Sequence, residues 1–418
     1  MKRFFILGIL FSCLPVFSVN AQLTLDNCQK KAVENYPQIK QYGLIEQTLE
    51  YNLSNASKGY LPQLSLSAKA TYQSDVTKIP IQLPNLNIKG LNKDQYQVSV
   101  ELNQVIWDGG AIRSQKNSVQ ASSEVDNKKL DVEMYKLNDR INQLYFGILL
   151  IDEQLKQNKL LQEELERNYK QIESYMVNGI ANQSDLDAVR VEQINARQRH
   201  TELKAGQEAY LQMLSVMTGK DIPDSKALEK PAVPLTGGEI KRPELQLFSA
   251  QQSLLQSQKD ILSASNMPKF GLFVQGAYGN PGLNMLKNEF APYYIAGVRL
   301  SWNFGTLYTK KNEGKIIDSN IRNNEIGQET FLFNTRLQML QENREIKKIK
   351  DLMKEDDQII TLRDNIKTAA EIKVKNGTLS VTELLREINA ADQAKQSKYL
   401  HEIQYLMAIY NLKNTTNN

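Results

Sequence analysis

Proline is spread so unevenly along this chain that its absences outline the architecture. None of the 12 prolines lies between Pro84 and Pro223, and none follows Pro292. A proline inside a helix removes a backbone hydrogen bond and costs ~3 kcal/mol, so these gaps are where helices can run uninterrupted. Residues 111 to 177 contain one glycine, Gly147. Within them Leu130, Met134, Leu137, Ile141, Leu144, Ile148, Ile151 and Leu155 recur in alternating steps of four and three. That is the seam of a coiled coil. If these 67 residues form one helix, it is ~100 Å long at ~1.5 Å per residue, far too long for a compact domain.

The plan occurs twice. Pro37 and Pro62 are 25 residues apart, as are Pro243 and Pro268. Tyr36-Pro37-Gln38-Ile39 resembles Arg242-Pro243-Glu244-Leu245, and Leu61-Pro62-Gln63-Leu64 resembles Met267-Pro268-Lys269-Phe270. Asn178-Gly179 recurs as Asn376-Gly377, and Asp185-Leu186 as Glu383-Leu384. Shared order and spacing mark an internal duplication. Each half reads helix, strand, loop, strand, very long helix, Asn-Gly turn, helix. The expected organisation is a leader over 1–21, a first repeat over 22–222, a connector over 223–241 and a second repeat over 242–418.

The leader has the form of a signal peptide. Lys2 and Arg3 precede an apolar stretch from Phe4 to Val19, and Val19-Asn20-Ala21 is a small-residue cleavage site before Gln22. Leu10-Phe11-Ser12-Cys13 loosely resembles a lipoprotein box, so lipidation at Cys13 is the alternative. No later segment offers ~20 consecutive apolar residues, which excludes a spanning helix. Cleavage leaves 49 of the 51 basic residues against 47 acidic ones, a balance that points to no nucleic-acid partner. Cys28 would then be the one cysteine, and with His200 and His401 it cannot assemble a zinc-type cluster. Both histidines lie in polar helical sequence and read as solvated.

Four segments alternate with period two. Leu64, Leu66, Ala68, Ala70 and Tyr72 oppose Ser65, Ser67, Lys69 and Thr71, while Tyr96, Val98, Val100 and Leu102 oppose Gln97, Ser99, Glu101 and Asn103. Phe270, Leu272 and Val274 oppose Gln275, and Tyr294, Ala296, Val298, Leu300 and Trp302 oppose Arg299, Ser301 and Asn303. A soluble sheet packed on helices would alternate in the same way. Strands of about ten residues with aromatics at both ends instead suit a tilted membrane crossing. An open sheet edge is prohibitive in lipid and four strands cannot close a barrel, so several chains must each supply a sector.

These features resemble the TolC family of outer-membrane efflux proteins. The matching residues are Leu23 to Asp26 with Ala32 to Pro37, Gly59 to Leu64, Val105-Ile106-Trp107-Asp108-Gly109-Gly110, and the two Asn-Gly turns with Asp185-Leu186 and Glu383-Leu384. The resemblance implies a mainly α protein with a small β part, a long α-helical coiled-coil barrel and four transmembrane strands per chain. It implies a homotrimer closing a 12-stranded barrel in outer-membrane lipid, with a helical tunnel in the periplasm of a Gram-negative bacterium. It also implies a passive duct that needs no cofactor, opened by a periplasmic adaptor (membrane fusion) protein and driven by an inner-membrane RND or ABC-type pump. Asn178, Gly179, Ile180, Ala181, Asn376, Gly377, Thr378 and Leu379 would be the hairpin tips that contact the adaptor. Asp185 and Glu383 would contribute to a resting gate. Arg386 stands where a second acidic residue is common, so that ring would be partly paired internally.

The residues alone leave plainer alternatives. The turns could be connectors, and the carboxylates could belong to solvated helix faces. An exported coiled-coil adhesin or scaffold would explain the heptads and the leader, but neither the four strands nor the duplicated turns. An enzyme is not indicated: there is no phosphate-binding glycine loop. The pairs Asp356-Asp357 and Glu163-Glu164 are helix neighbours that point to different faces and read as solvated. The cargo and the pump class are not written in any motif.

Overall fold

The computed structural model describes residues 23–77, 90–234 and 237–417. The expected leader, Cys13 and much of the first interstrand loop lie outside the described residues. In chain order the elements are α1 (Leu25–Asn35), α2 (Gln41–Ser57), β1 (Gln63–Tyr72), β2 (Asp94–Trp107), α3 (Ala111–Tyr135) and α4 (Leu137–Val177). There follow α5 (Gln183–Thr218), α6 (Pro243–Ser265), β3 (Lys269–Asn280), β4 (Ala291–Ser301), α7 (Leu307–Lys375) and α8 (Val381–Thr416). The chain is mainly helical with one small antiparallel sheet. The first long helix is interrupted at Lys136, whereas its counterpart α7 runs 69 residues unbroken. The heptad keeps phase across Lys136: Leu130, Met134, Leu137, Ile141, Leu144 and Ile148 are all buried.

The chain divides into two compact units, each drawn from both sequence repeats. The first comprises Lys40–Tyr135 and Lys241–Arg336. Its sheet has the order β1-β2-β3-β4, every neighbouring pair antiparallel, so among the described residues β1 and β4 each have one free edge. The register sets Leu66 opposite Val100, Leu102 opposite Val274, and Phe270 opposite Leu300. One face of the sheet is therefore continuously apolar across all four strands. On the helical side, α3 packs on α2 and on α6. The Tyr42 hydroxyl donates to Asp131 at 2.5 Å, tying α2 to α3. Arg242, just ahead of Pro243 at the start of α6, sets its guanidinium 5.0 Å from the Tyr135 ring centroid and 5.9 Å from that of Phe331, while pairing with Glu244. Burial pushes the Tyr135 phenol up to about 12 against the opposing pull of Arg242.

The second unit comprises the chain up to Ile39, Lys136–Ile240 and the chain from Leu337 onward. It holds two apolar cores. In one, Leu25, Cys28 and Ala32 of α1 pack with Ile141, Tyr145, Ile148, Leu214 and Ile403. The connector joins this core through Leu228, which bridges to Leu23, and the Tyr145 hydroxyl lies 2.7 Å from the Leu23 carbonyl oxygen. Cys28 is fully buried there, and burial raises its thiol to about 11, so it is an inert core residue. The other core joins α4, α5, α7 and α8 through Leu165, Ile172, Val189, Val374, Leu384 and Ile388.

Along α4 and α8 a buried polar layer separates these cores. Gln157 donates to Asp392 at 2.9 Å, Gln396 donates to its other oxygen at 2.6 Å, and Asn158 donates to the Ala196 carbonyl at 3.1 Å. His401 and Asp356 correct the expectation of solvated side chains. Asp356 is 5% exposed and its carboxylate lies 2.9 Å from His401 Nδ1. Glu164 also departs from that expectation, being half-buried and paired with Lys367 at 2.7 Å. Period analysis marks apolar positions and is blind to a charge that a neighbouring helix satisfies.

Candidate functional site

The two Asn-Gly turns share the same pair of backbone bonds, from the glycine and from the residue after it. At the end of α4, Gly179 has φ +76°, Gly179 N–H donates to Met176 O at 3.1 Å, and Ile180 N–H donates to Tyr175 O at 2.9 Å. At the end of α7, Gly377 has φ +69°, Gly377 N–H donates to Val374 O at 2.9 Å, and Thr378 N–H donates to Lys373 O at 2.9 Å. Both are helix stops in which a left-handed glycine lets two N–H groups turn back onto orphan carbonyls. The Asn178 side chain adds a bond from Nδ2 to Ser174 O at 2.8 Å.

Each next helix opens with a capping box. Asp185 N–H donates to Asn182 Oδ1 at 3.1 Å, and Asn182 N–H donates to Asp185 Oδ2 at 3.0 Å. In the second hairpin, Glu383 N–H donates to Ser380 Oγ at 3.2 Å, and Ser380 N–H to Glu383 Oε2 at 3.3 Å. The bonds from Ser380, helped by the Arg386 charge, hold the Glu383 carboxyl below its usual range. The two expected gate carboxylates thus have a local task, closing the first turns of α5 and α8. Sequence reasoning passed over this, although Asn-x-x-Asp and Ser-x-x-Glu are the signature of such a box.

Both tips rest on the same apolar core, with Ala181 and Leu379 packed against it. Ile180 is 50% exposed, and Asn178, Asn376 and Thr378 are exposed. Val177 is 80% exposed at the first tip; the Asn-Gly motif does not mark it, because the residue still belongs to α4. Arg386 pairs with Glu387 at 3.3 Å, and Glu387 also meets Arg363 at 3.4 Å. Asn389 donates to Glu192 at 3.2 Å, joining α8 to α5.

The sheet is the second candidate surface. Leu66, Val298 and Leu300 on its apolar face are 73%, 71% and 60% exposed, far above what a sheet packed on helices would leave open. The opposite face is a polar network. Ser67 and Ser99 hydroxyls are 2.8 Å apart, and Gln97 donates to Tyr293 at 2.8 Å. Arg299 reaches across β3 to Glu101 at 3.0 Å and Asn103 at 3.2 Å, with its guanidinium 4.5 Å from the Phe273 ring centroid. Among the described residues, no His, Cys, Asp and Glu group could hold a metal ion, and no helix is long and apolar enough to cross a membrane.

Solved outer-membrane channels share this fold. The outer-membrane channel OprN superposes with a TM-score of 0.69 at 14% identity, over 94% of this chain and 89% of that one. VceC from Vibrio cholerae gives 0.65 at 11% identity over 93% and 95%, and CmeC from Campylobacter jejuni 0.64 at 14% over 94% and 85%. No curated protein sequence matches the chain. The fold is that of an outer-membrane channel protomer. Residues 29–220 match the family model described as outer membrane efflux protein. That match lies within the first sequence repeat and agrees with the TolC-type channels that the motifs resemble.

Proposed function

We propose that this chain is one third of a trans-periplasmic efflux or secretion duct. The observation that carries the reading is the four-stranded sheet, apolar and exposed on one face, hydrogen-bonded on the other, with both edges unpaired among the described residues. In lipid each unpaired backbone group costs several kcal/mol, so β1 must meet the β4 of another chain. Three such sectors give 12 strands, within the range of closed outer-membrane barrels. The apolar phase then faces lipid and the polar phase lines the lumen.

Cargo would pass through it passively, with the energy supplied by an inner-membrane pump of the RND or ABC type. A periplasmic adaptor would contact the tips through Ile180, Ala181, Thr378 and Leu379, presented by Asn178-Gly179 and Asn376-Gly377. Asp185, Glu383 and Arg386 lie beside those tips as the candidate resting gate. Mass measurement in mild detergent, combined with planar-bilayer conductance, tests the reading. A trimer with single-channel steps is expected. A folded monomer with full strand content, or a trimer that never conducts with its tip carboxylates neutralised, overturns it and leaves an adhesin or scaffold.

A further inference from the structure

Charge is distributed unevenly between the two faces of the sheet. Within β1 to β4 the apolar phase carries no charged residue except Asp94 at the first position of β2. The polar phase carries Lys69 in β1, Glu101 in β2, Lys269 in β3 and Arg299 in β4. The one anion of this set is already engaged, because Arg299 grips Glu101 at 3.0 Å. Glu101 is 24% exposed at its side chain, screened by that guanidinium, which is itself 52% exposed. Lys69 and Lys269 are exposed and have no acidic partner within ion-pairing distance among the described residues.

Their placement spreads the excess along the sheet. Lys69 pairs in register with Gln97, towards the interstrand-loop end, and Lys269 pairs with Ser301, at the end where the helices begin. Three cations against one anion leave a net charge of +2 on the polar phase of each chain. We propose that the polar phase of this sheet forms a basic lumen that admits anionic solutes in preference to cationic ones. The inference rests on the barrel reading above, which turns that phase inward and triples it by symmetry. Fixed like charges inside a low-dielectric wall focus the potential and raise the local concentration of counter-ions. The Debye length is about 8 Å at 0.15 M salt and about 30 Å at 0.01 M, so the preference should sharpen as salt is lowered.

Thiol modification of the intact oligomer in detergent tests this without needing the periplasmic end open. Gln275→Cys places a reporter on the polar phase between the lysines, and Val274→Cys places one on the apolar phase; native Cys28 is fully buried and silent. The probes are an anionic and a cationic methanethiosulfonate of similar size, with rates normalised to a free thiol in solution. At about 0.01 M salt the anionic reagent should modify Gln275→Cys roughly tenfold faster than the cationic one. The Lys69→Gln/Lys269→Gln double variant should bring the ratio near unity, and Glu101→Gln should increase it. Equal rates, a cationic preference, or a ratio unmoved by the lysine replacements overturns the proposal. If Val274→Cys in lipid nanodiscs reacts as readily as Gln275→Cys, the apolar phase does not face lipid, and the barrel reading fails together with the inference drawn from it.

Discussion

Asp392 of α8 accepts a hydrogen bond from Gln157 of α4 at 2.9 Å in a part of the helical unit where both residues are buried. Gln396 serves the other carboxylate oxygen, and among the described residues no cation bonds to either. Burial raises the Asp392 carboxyl above its ordinary range, opposed by the two amide bonds and Lys395 and assisted by the nearby Glu164 charge. The folded state therefore holds this proton more tightly than the unfolded one. The penalty is absent below the ordinary aspartate pKa of ~3.9, grows as pH rises, and is complete above the raised value.

Asp392→Asn should accordingly raise the melting temperature at neutral pH and flatten its decline between acid and neutral conditions. Gln157→Leu should act oppositely, destabilising by about 1–3 kcal/mol because it strips one bond from a buried carboxylate. Melting of the detergent-solubilised protein as a function of pH checks both. An Asp392→Asn variant with an unchanged pH profile would mean that the layer is hydrated.

The strands give a prediction with opposite signs on opposite faces. Val100→Arg or Leu300→Arg should cost roughly 2–4 kcal/mol near the bilayer midplane. Ser301→Arg should be tolerated, since the residue is exposed on the polar phase. Ser99 would not serve as that control: it is 5% exposed and bonded to Ser67, so arginine there would displace a packed neighbour. Heat-resistant oligomer on gels after outer-membrane extraction is the readout, and equal damage at Leu300 and Ser301 would place the strands in a soluble core.

The tip glycines offer a third. A Cβ at Gly179 or Gly377 meets nothing within 4 Å, so alanine would be strained only by its left-handed backbone. Each replacement should destabilise by about 1–2 kcal/mol, and asparagine should cost less than alanine because its side chain tolerates that region. Hydrogen exchange at the ends of α4 and α7 measures the effect locally, and faster exchange should stay confined to the tips.

Much of this architecture is legible in the sequence because it rests on periodicity. Alternation fixed all four strands, and the heptad from Leu130 to Ile148 is buried as spaced. The Asn-Gly pairs marked both helix stops, since few residues other than glycine take a positive φ without strain. The break at Lys136 has no proline or glycine to announce it. The pairing of His401 with Asp356, like that of Gln157 with Asp392, joins residues 45 and 235 apart and depends on which helices meet. The capping role of Asp185 and Glu383 is written locally, in Asn182 and Ser380 three residues upstream.

That double reading of Asp185 and Glu383 can be resolved by separating charge from capping. Glu383→Gln keeps a side chain able to accept from Ser380 N–H while removing the charge, and Asp185→Asn does the same at Asn182. If the carboxylates hold the resting channel shut, both should raise open probability in planar bilayers with little change in melting temperature. Ser380→Ala breaks the box but keeps the Glu383 charge; it should destabilise by about 1 kcal/mol and leave conductance low. Should Ser380→Ala open the channel as far as Glu383→Gln does, the carboxylates act only through the first turn of α8, and the gate lies elsewhere.

The tips themselves carry the last prediction. Ile180 and Val177 expose apolar surface beside Ala181, Thr378 and Leu379, over a core that already satisfies Leu186, Val381 and Leu384. Ala181→Glu or Thr378→Arg adds charge to that surface. Ala181 is half-buried and packs on the core, so its variant also tests packing; Thr378 is exposed, and its backbone N–H already serves Lys373 O. Thr378→Arg should therefore leave melting temperature and oligomer yield unchanged while reducing export in cells to the level of a strain lacking the protein. Pull-down by the cognate adaptor should fail in parallel. Export at the wild-type rate by Thr378→Arg, with the adaptor present, would make the Asn-Gly turns connectors and move the docking surface elsewhere on the helical unit.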